Sequence, residues 1–133
     1  GRLIGGCIET LGNLAGTPFG RASELARSTG DPLIVYVEAA SADAYEVCRT
    51  LHGMRLAGFF ECAAAVLVGR TNAPDCADMN QYDAVIDALG GLGVPIVADV
   101  ECGHVAPFMP LVNGATAEVV ATGTQSRIRQ TLA

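Results

Sequence analysis

The sequence predicts a small α/β domain built on one mixed sheet. Three observations carry that expectation. Apolar, β-branched runs of strand length recur at residues 32–40, 63–70 and 94–100. Segments with apolar residues three and four apart alternate with them, the order that sets strands beside crossover helices. Behind the last run, Asn113-Gly114 stands between short apolar stretches and signals a hairpin.

Taken in order, RLIGGC reads as a short strand entering a Gly-Gly turn at the sheet edge. IETLGNLAG supplies one or two helical turns, stopped by Gly16 with Pro18 just beyond. Residues 20–31 are polar and read as a loop with a helical turn at ASELAR. PLIVYVEAA is apolar on both faces, the pattern of a central strand. SADAYEVCRTLHGMRLAG follows as an amphipathic helix. Ser41 is its expected N-cap, and Asp43 suits the positive end of the helix dipole. Ala44, Val47, Cys48, Leu51 and Met54 form its apolar stripe, and Gly58 ends it. AAAVLVGR is a second buried strand, TNAPDCADMN a polar loop, YDAVIDALGGLG a short helix and VPIVADV a third buried strand. PLVNGATAEVVATG closes the order as two short strands about the Asn-Gly turn.

Composition narrows the function. A chain of 133 residues makes one domain around one core. It is 50% apolar and 17% charged, which excludes disorder. No apolar run approaches the roughly 20 residues of a membrane helix, and the first residues lack the pattern of a signal peptide. A net charge of −6 with no lysine argues against a nucleic-acid groove. The five cysteines, at 7, 48, 62, 76 and 102, are odd in number and form no C-x-x-C. They read as buried free thiols of a cytoplasmic protein, not as disulfides or a structural zinc site.

Two residues stand out chemically. His104 follows Gly103 just past a buried strand, and ligands of open α/β sheets bind outside the carboxyl ends of strands. Glu38 ends the strand PLIVYV, where a carboxylate is costly unless paired. Each has a plain structural reading, as a lone histidine and as a rim carboxylate capping the next helix. Together they have a functional one, as a base and the acid that orients it. Cys102 lies two residues from His104 and raises a cysteine-nucleophile alternative, though no oxyanion-type turn surrounds it. A metal held by Cys102, His104 and Glu38 would lack the usual third nitrogen or sulfur ligand. Gly5-Gly6 is followed by no phosphate-loop pattern. His52 reads as a partly exposed helix residue. Arg70, after the strand AVLVG, is a candidate for a substrate carboxylate or an ordinary surface arginine. Ser23, Ser28, Ser41 and Ser126 lie in no nucleophile elbow. The chain thus offers a base and an acid without a nucleophile.

The ordered set GRLIGGCIETLGNLAGTPFG, LIVYVEAASADAYEVCRTLHGMRLAGFFECAAAVLVGR and LGVPIVADVECGHVAPFMPLVNGATAEV resembles the C-terminal domain of the LD-carboxypeptidases. That serine peptidase family also includes microcin C self-immunity peptidases. The resemblance runs from Gly1 to about Val120. It implies a small swivelling β/β/α domain that contributes Glu38 and His104 to a Ser-Glu-His triad. The serine would come from an N-terminal domain upstream of Gly1, so this chain alone would be inactive. The implied substrate is an L,D-peptide bond, such as the terminal D-alanine of a recycled murein tetrapeptide. An immunity peptidase acting on a peptidyl-nucleotide antibiotic and a non-catalytic binding domain are the alternatives. The resemblance implies a cytoplasmic homodimer that uses no cofactor and no metal. Departures such as Cys7 after Gly-Gly and PLVNGA in place of an LPLG run bear on substrate preference.

Overall fold

A computed structural model describes residues 1–132. Strand β1 (Arg2–Cys7) leads through α1 (Ile8–Leu14) and α2 (Ala22–Thr29) to β2 (Leu33–Glu38). Helix α3 (Ala44–Leu56), β3 (Ala63–Gly69), α4 (Gln81–Leu89) and β4 (Ile96–Val100) follow, and the hairpin β5 (Thr116–Ala121) and β6 (Ser126–Thr131) closes the order. These strands make one mixed six-stranded sheet in the order β4-β3-β2-β1-β5-β6. The first four run parallel, and β5 joins β1 antiparallel. The predicted α/β class is therefore the observed one.

Strand β2 is central and buried along its whole length, as its apolar pattern predicts. Its alternate residues serve two cores. Leu33, Val35 and Val37 face the helices, where they meet Val47, Leu51, Met54 and Leu89. Ile34 and Tyr36 face the other way, onto Leu3, Leu67 and Cys102, with Met109 and Leu111 packed against them. A fully buried Leu or Val contributes about 1.5–3 kcal/mol, so the helix-side cluster anchors the domain. The period-two alternation sends Glu38 to the second face, which the segment after β4 covers.

Four local expectations are corrected. The N-cap of α3 is Asp43, two residues after Ser41; its carboxylate accepts the Glu46 N–H at 2.9 Å, and Glu46 returns the bond in a capping box. Asp43 has this reciprocal partner three residues on, and Ser41 does not. Gly5-Gly6 forms no turn, because β1 runs through both and lies between β2 and β5. A Cβ on Gly5 would sit 1.8 Å from the Tyr36 carbonyl oxygen, so glycine here makes room for the neighbouring strand. Strand β4 is an edge strand with Ala98 and Asp99 exposed, not a strand buried on both faces. Asn113-Gly114 is not the hairpin turn, which lies between Ala121 and Ser126. The Asn113 side chain instead pairs with Gly5, accepting its N–H at 2.9 Å and donating to its carbonyl at 3.1 Å. A side-chain amide thus extends the sheet where β5 stops pairing with β1.

Candidate active site

The site is built at the carboxyl ends of the parallel strands. Cys7, the last residue of β1, stands in register with Glu38, the last of β2. Gly69 ends β3, and the turn Glu101–His104 leaves β4. Glu38 is only 6% exposed, whereas the His104 side chain is 59% exposed. His104 Nδ1 lies 2.9 Å from Glu38 Oε2. A buried carboxylate needs a partner, and His104 supplies it from 66 residues away. Nothing else among the described residues hydrogen-bonds to His104. A carboxylate on Nδ1 holds the tautomer that leaves Nε2 as the proton acceptor, facing outward. The hydrogen bond that His104 donates to Glu38, and then the Glu38 charge, raise the His104 pKa above the usual 6.5 against a smaller opposing effect of burial.

Two glycines make this contact fit. Gly103 has φ +97°, and a Cβ there would stand 2.5 Å from Glu38 Oε2. A Cβ on Gly69 would stand 2.7 Å from both Glu38 Cβ and the Cys102 carbonyl oxygen. Gly103 also separates Cys102 from His104. Cys102 is 3% exposed within the second core, and burial, followed by the charge of Glu38, pushes its thiol up to about 11. A thiol so placed stays protonated at neutral pH, which removes the cysteine-nucleophile alternative. An extended chain would have aimed Cys102 and His104 the same way; the left-handed glycine turns them apart.

Glu9, which the sequence reading did not single out, organises the loop behind Glu38. Its Oε1 accepts the backbone N–H groups of Ala40, Ser41 and Ala42 at 3.0, 2.8 and 3.0 Å. Its Oε2 accepts the Cys7 thiol at 2.9 Å. Partial burial pushes the Glu9 carboxyl up, but the thiol and backbone donors together outweigh it and bring the group down to about 2. The same surroundings raise the Cys7 thiol, through burial first and then Glu9. In the sequence Glu9 looks like an ordinary first-turn helix acid, and no local pattern ties it to residues more than thirty positions on.

A cavity of about 590 Å³ opens beside the pair, with Glu38, Arg70, Thr71, Gln81, Tyr82 and Val105 in its wall. Arg70 thus stands at the site, where its guanidinium donates to the Pro107 carbonyl at 2.5 Å and lies 3.8 Å from Glu101. Both contacts tie Arg70 to the segment that carries His104. His52 lies elsewhere, on the outer face of α3, with its side chain 42% exposed. Ser23 and Ser28 donate their hydroxyls to the Gly58 and Leu25 carbonyls. No helix of the described residues is long and apolar enough to cross a membrane.

The family model for the LD-carboxypeptidase C-terminal domain matches residues 1–119. A Streptomyces coelicolor protein named as a carboxypeptidase is 31% identical over 134 residues, covering 99% of this chain and 41% of its own length. The Escherichia coli microcin C7 self-immunity protein MccF is 26% identical over 116 residues, covering 86% of this chain and 32% of its own. The chain therefore spans about two fifths or less of these relatives. Among solved structures, muramoyltetrapeptide carboxypeptidase from Oxalobacter formigenes superposes with a TM-score of 0.78 at 20% identity, over 96% of this chain and 44% of that one. MccF superposes with a TM-score of 0.67 at 23% identity, over 86% of this chain and 33% of that one. The fold and the family model agree: the chain belongs to the LD-carboxypeptidase C-terminal domain family.

Proposed function

We propose that this chain is the base-bearing half of a two-domain serine carboxypeptidase, with the nucleophilic serine on a domain preceding Gly1. The observation that carries the reading is the 2.9 Å contact between His104 Nδ1 and the buried Glu38 carboxylate. A buried acid that orients a solvent-facing histidine is two thirds of a hydrolytic triad.

In this reading His104 Nε2 takes the serine hydroxyl proton as Oγ attacks the scissile carbonyl. The resulting imidazolium, stabilised by Glu38, returns that proton to the leaving amine. Water then enters with His104 again as base, and the acyl-enzyme ester is hydrolysed. Arg70, in the cavity wall, is the candidate cation for the carboxylate of the residue released. The substrate we assign is an L,D-peptide bond ending in D-alanine, as in a murein tetrapeptide. Similarity to MccF favours one second reading, an immunity peptidase acting on a peptidyl-nucleotide.

The test is release of D-alanine from murein tetrapeptide by the complete protein, beside a peptidyl-nucleotide of the microcin C class. Faster turnover of the tetrapeptide supports the first assignment, and faster turnover of the nucleotide supports the second. If the complete protein hydrolyses neither substrate, a non-catalytic binding domain takes over. The isolated chain is expected to hydrolyse neither.

A further inference from the structure

On the outer face of the helical layer, away from Glu38 and His104, a second group of side chains converges. Cys48 and His52 are four residues apart on α3, so both project from one face of that helix. Asp87 on α4 reaches the same point from the neighbouring helix. His52 Nε2 lies 2.8 Å from Asp87 Oδ2, and Cys48 Sγ lies 3.4 Å from the same oxygen. One ligand atom from each of the three residues falls within 4.8 Å of the other two. We propose that Cys48, His52 and Asp87 form a binding site for a divalent cation of the zinc type, which clamps α3 to α4.

Ligand chemistry selects the cation. A thiolate, an imidazole nitrogen and a carboxylate oxygen are the donor types of zinc, whereas magnesium and calcium prefer oxygen throughout. The spacing also fits. Zinc bonds of about 2.3 Å to sulfur and about 2.0 Å to nitrogen and oxygen, at tetrahedral angles, separate the ligand atoms by about 3.3–3.5 Å. The sulfur–oxygen distance already has that value. The nitrogen–oxygen contact must open by about 0.5 Å, within reach of small rotations of two side chains that are 42% and 58% exposed. Exposure leaves the fourth position to water. The metal-free arrangement closes on itself, with the thiol donating to Asp87 and the carboxylate also meeting His52. Burial first, then Asp87, raises the Cys48 thiol above its ordinary value. Binding replaces that proton: the cation forms the metal–sulfur bond, and the thiol proton leaves to solvent.

Three ligands at this spacing separate the site from a plain surface ion pair, which would need His52 and Asp87 alone. The cation would join two helices whose packing already forms part of the core. It is independent of the hydrolytic reading, since none of its ligands lines the Glu38 cavity.

The experiment is a titration of the complete, reduced, metal-free protein with Co²⁺, followed by displacement with Zn²⁺. The expected result is a saturable thiolate-to-cobalt charge-transfer band at one equivalent, removed by Zn²⁺. The band disappears in Cys48→Ser, and Co²⁺ binding weakens at least about tenfold in His52→Gln and in Asp87→Asn. Zn²⁺ also raises the unfolding temperature of the wild type but not of Cys48→Ser. Far-ultraviolet circular dichroism of the metal-free variants confirms that each is folded. Absence of a saturable band up to millimolar Co²⁺ overturns the proposal. An undiminished band in Cys48→Ser overturns it too, because the thiolate would then belong to another cysteine of the complete protein.

Discussion

Replacing Gly103 with alanine tests whether the turn after β4 exists to seat Glu38 against His104. Two costs arise. The residue sits at φ +97°, which charges an L-amino acid about 1–3 kcal/mol. The new methyl would also stand 2.5 Å from Glu38 Oε2, 2.6 Å from its Cγ and 2.7 Å from its Cδ. Ordinary carbon contacts lie at about 3.5–4.0 Å, so the carboxylate must retreat by about 1 Å. The 2.9 Å bond to His104 cannot survive that shift within the usual 2.7–3.2 Å range of such bonds. Gly93→Ala is the matched control, since Gly93 has φ +73° with no atom within 4 Å of the added methyl. Both variants should lose stability in thermal unfolding through the backbone cost, and Gly103→Ala should lose more because it also displaces the buried Glu38 carboxylate. Only Gly103→Ala should lose hydrolysis by the complete protein, by a factor approaching the ~10⁴ of a lost orienting acid. Equal activity in the two variants would refute the reasoning, because strain alone would then describe Gly103.

Further outcomes follow from the geometry around Glu38, Glu9 and Arg70. Glu38→Gln should lower the His104 titration midpoint seen by NMR, since Glu38 raises it. His104 must be neutral to act as a base, so wild-type kcat/KM should rise with pH through a value above 6.5. The raised value also means that the Glu38–His104 pair stabilises the fold fully below pH 6.5 and less as pH climbs through the folded value. Glu9→Gln should destabilise the domain by about 1–3 kcal/mol at neutral pH in urea unfolding. Its carboxyl is held at about 2, so the wild-type advantage should persist above its ordinary 4.5 and vanish as pH falls through about 2. An advantage unchanged at the acid end would contradict that. Arg70→Lys should raise KM for carboxylate-terminated peptides more than it changes kcat, because lysine cannot reproduce the guanidinium fork.

Much of the architecture was legible because the elements announce themselves locally. The apolar run LIVYV forces β2 to the centre, and the stripe Ala44, Val47, Leu51 and Met54 turns α3 onto the sheet. Glu38 and His104 were legible as anomalies, a charge ending a buried strand and a histidine behind a glycine. What escaped depends on contacts far apart in sequence. Glu9 reaches backbone groups 31–33 residues on, and the Cys48–His52–Asp87 group joins two helices. Asn113-Gly114 does form the turn its local signal predicts, with the Ala115 N–H donating to the Val112 carbonyl at 3.1 Å, but no strand leads into it, and the Asn113 side chain pairs with Gly5 in place of a hairpin partner. The strand Ser126–Thr131 was missed because its SRIRQT pattern is mostly polar and exposed, as an edge strand can be.

In the proposed enzyme, His104 serves a serine outside this chain. The most direct measurement is labelling of the complete protein with a fluorophosphonate, followed by mass mapping of the adduct. One modified serine preceding Gly1 is expected, with a labelling rate that falls roughly 10³-fold or more in His104→Ala. An adduct on Ser23, Ser28, Ser41 or Ser126, or labelling indifferent to the loss of His104, would contradict it.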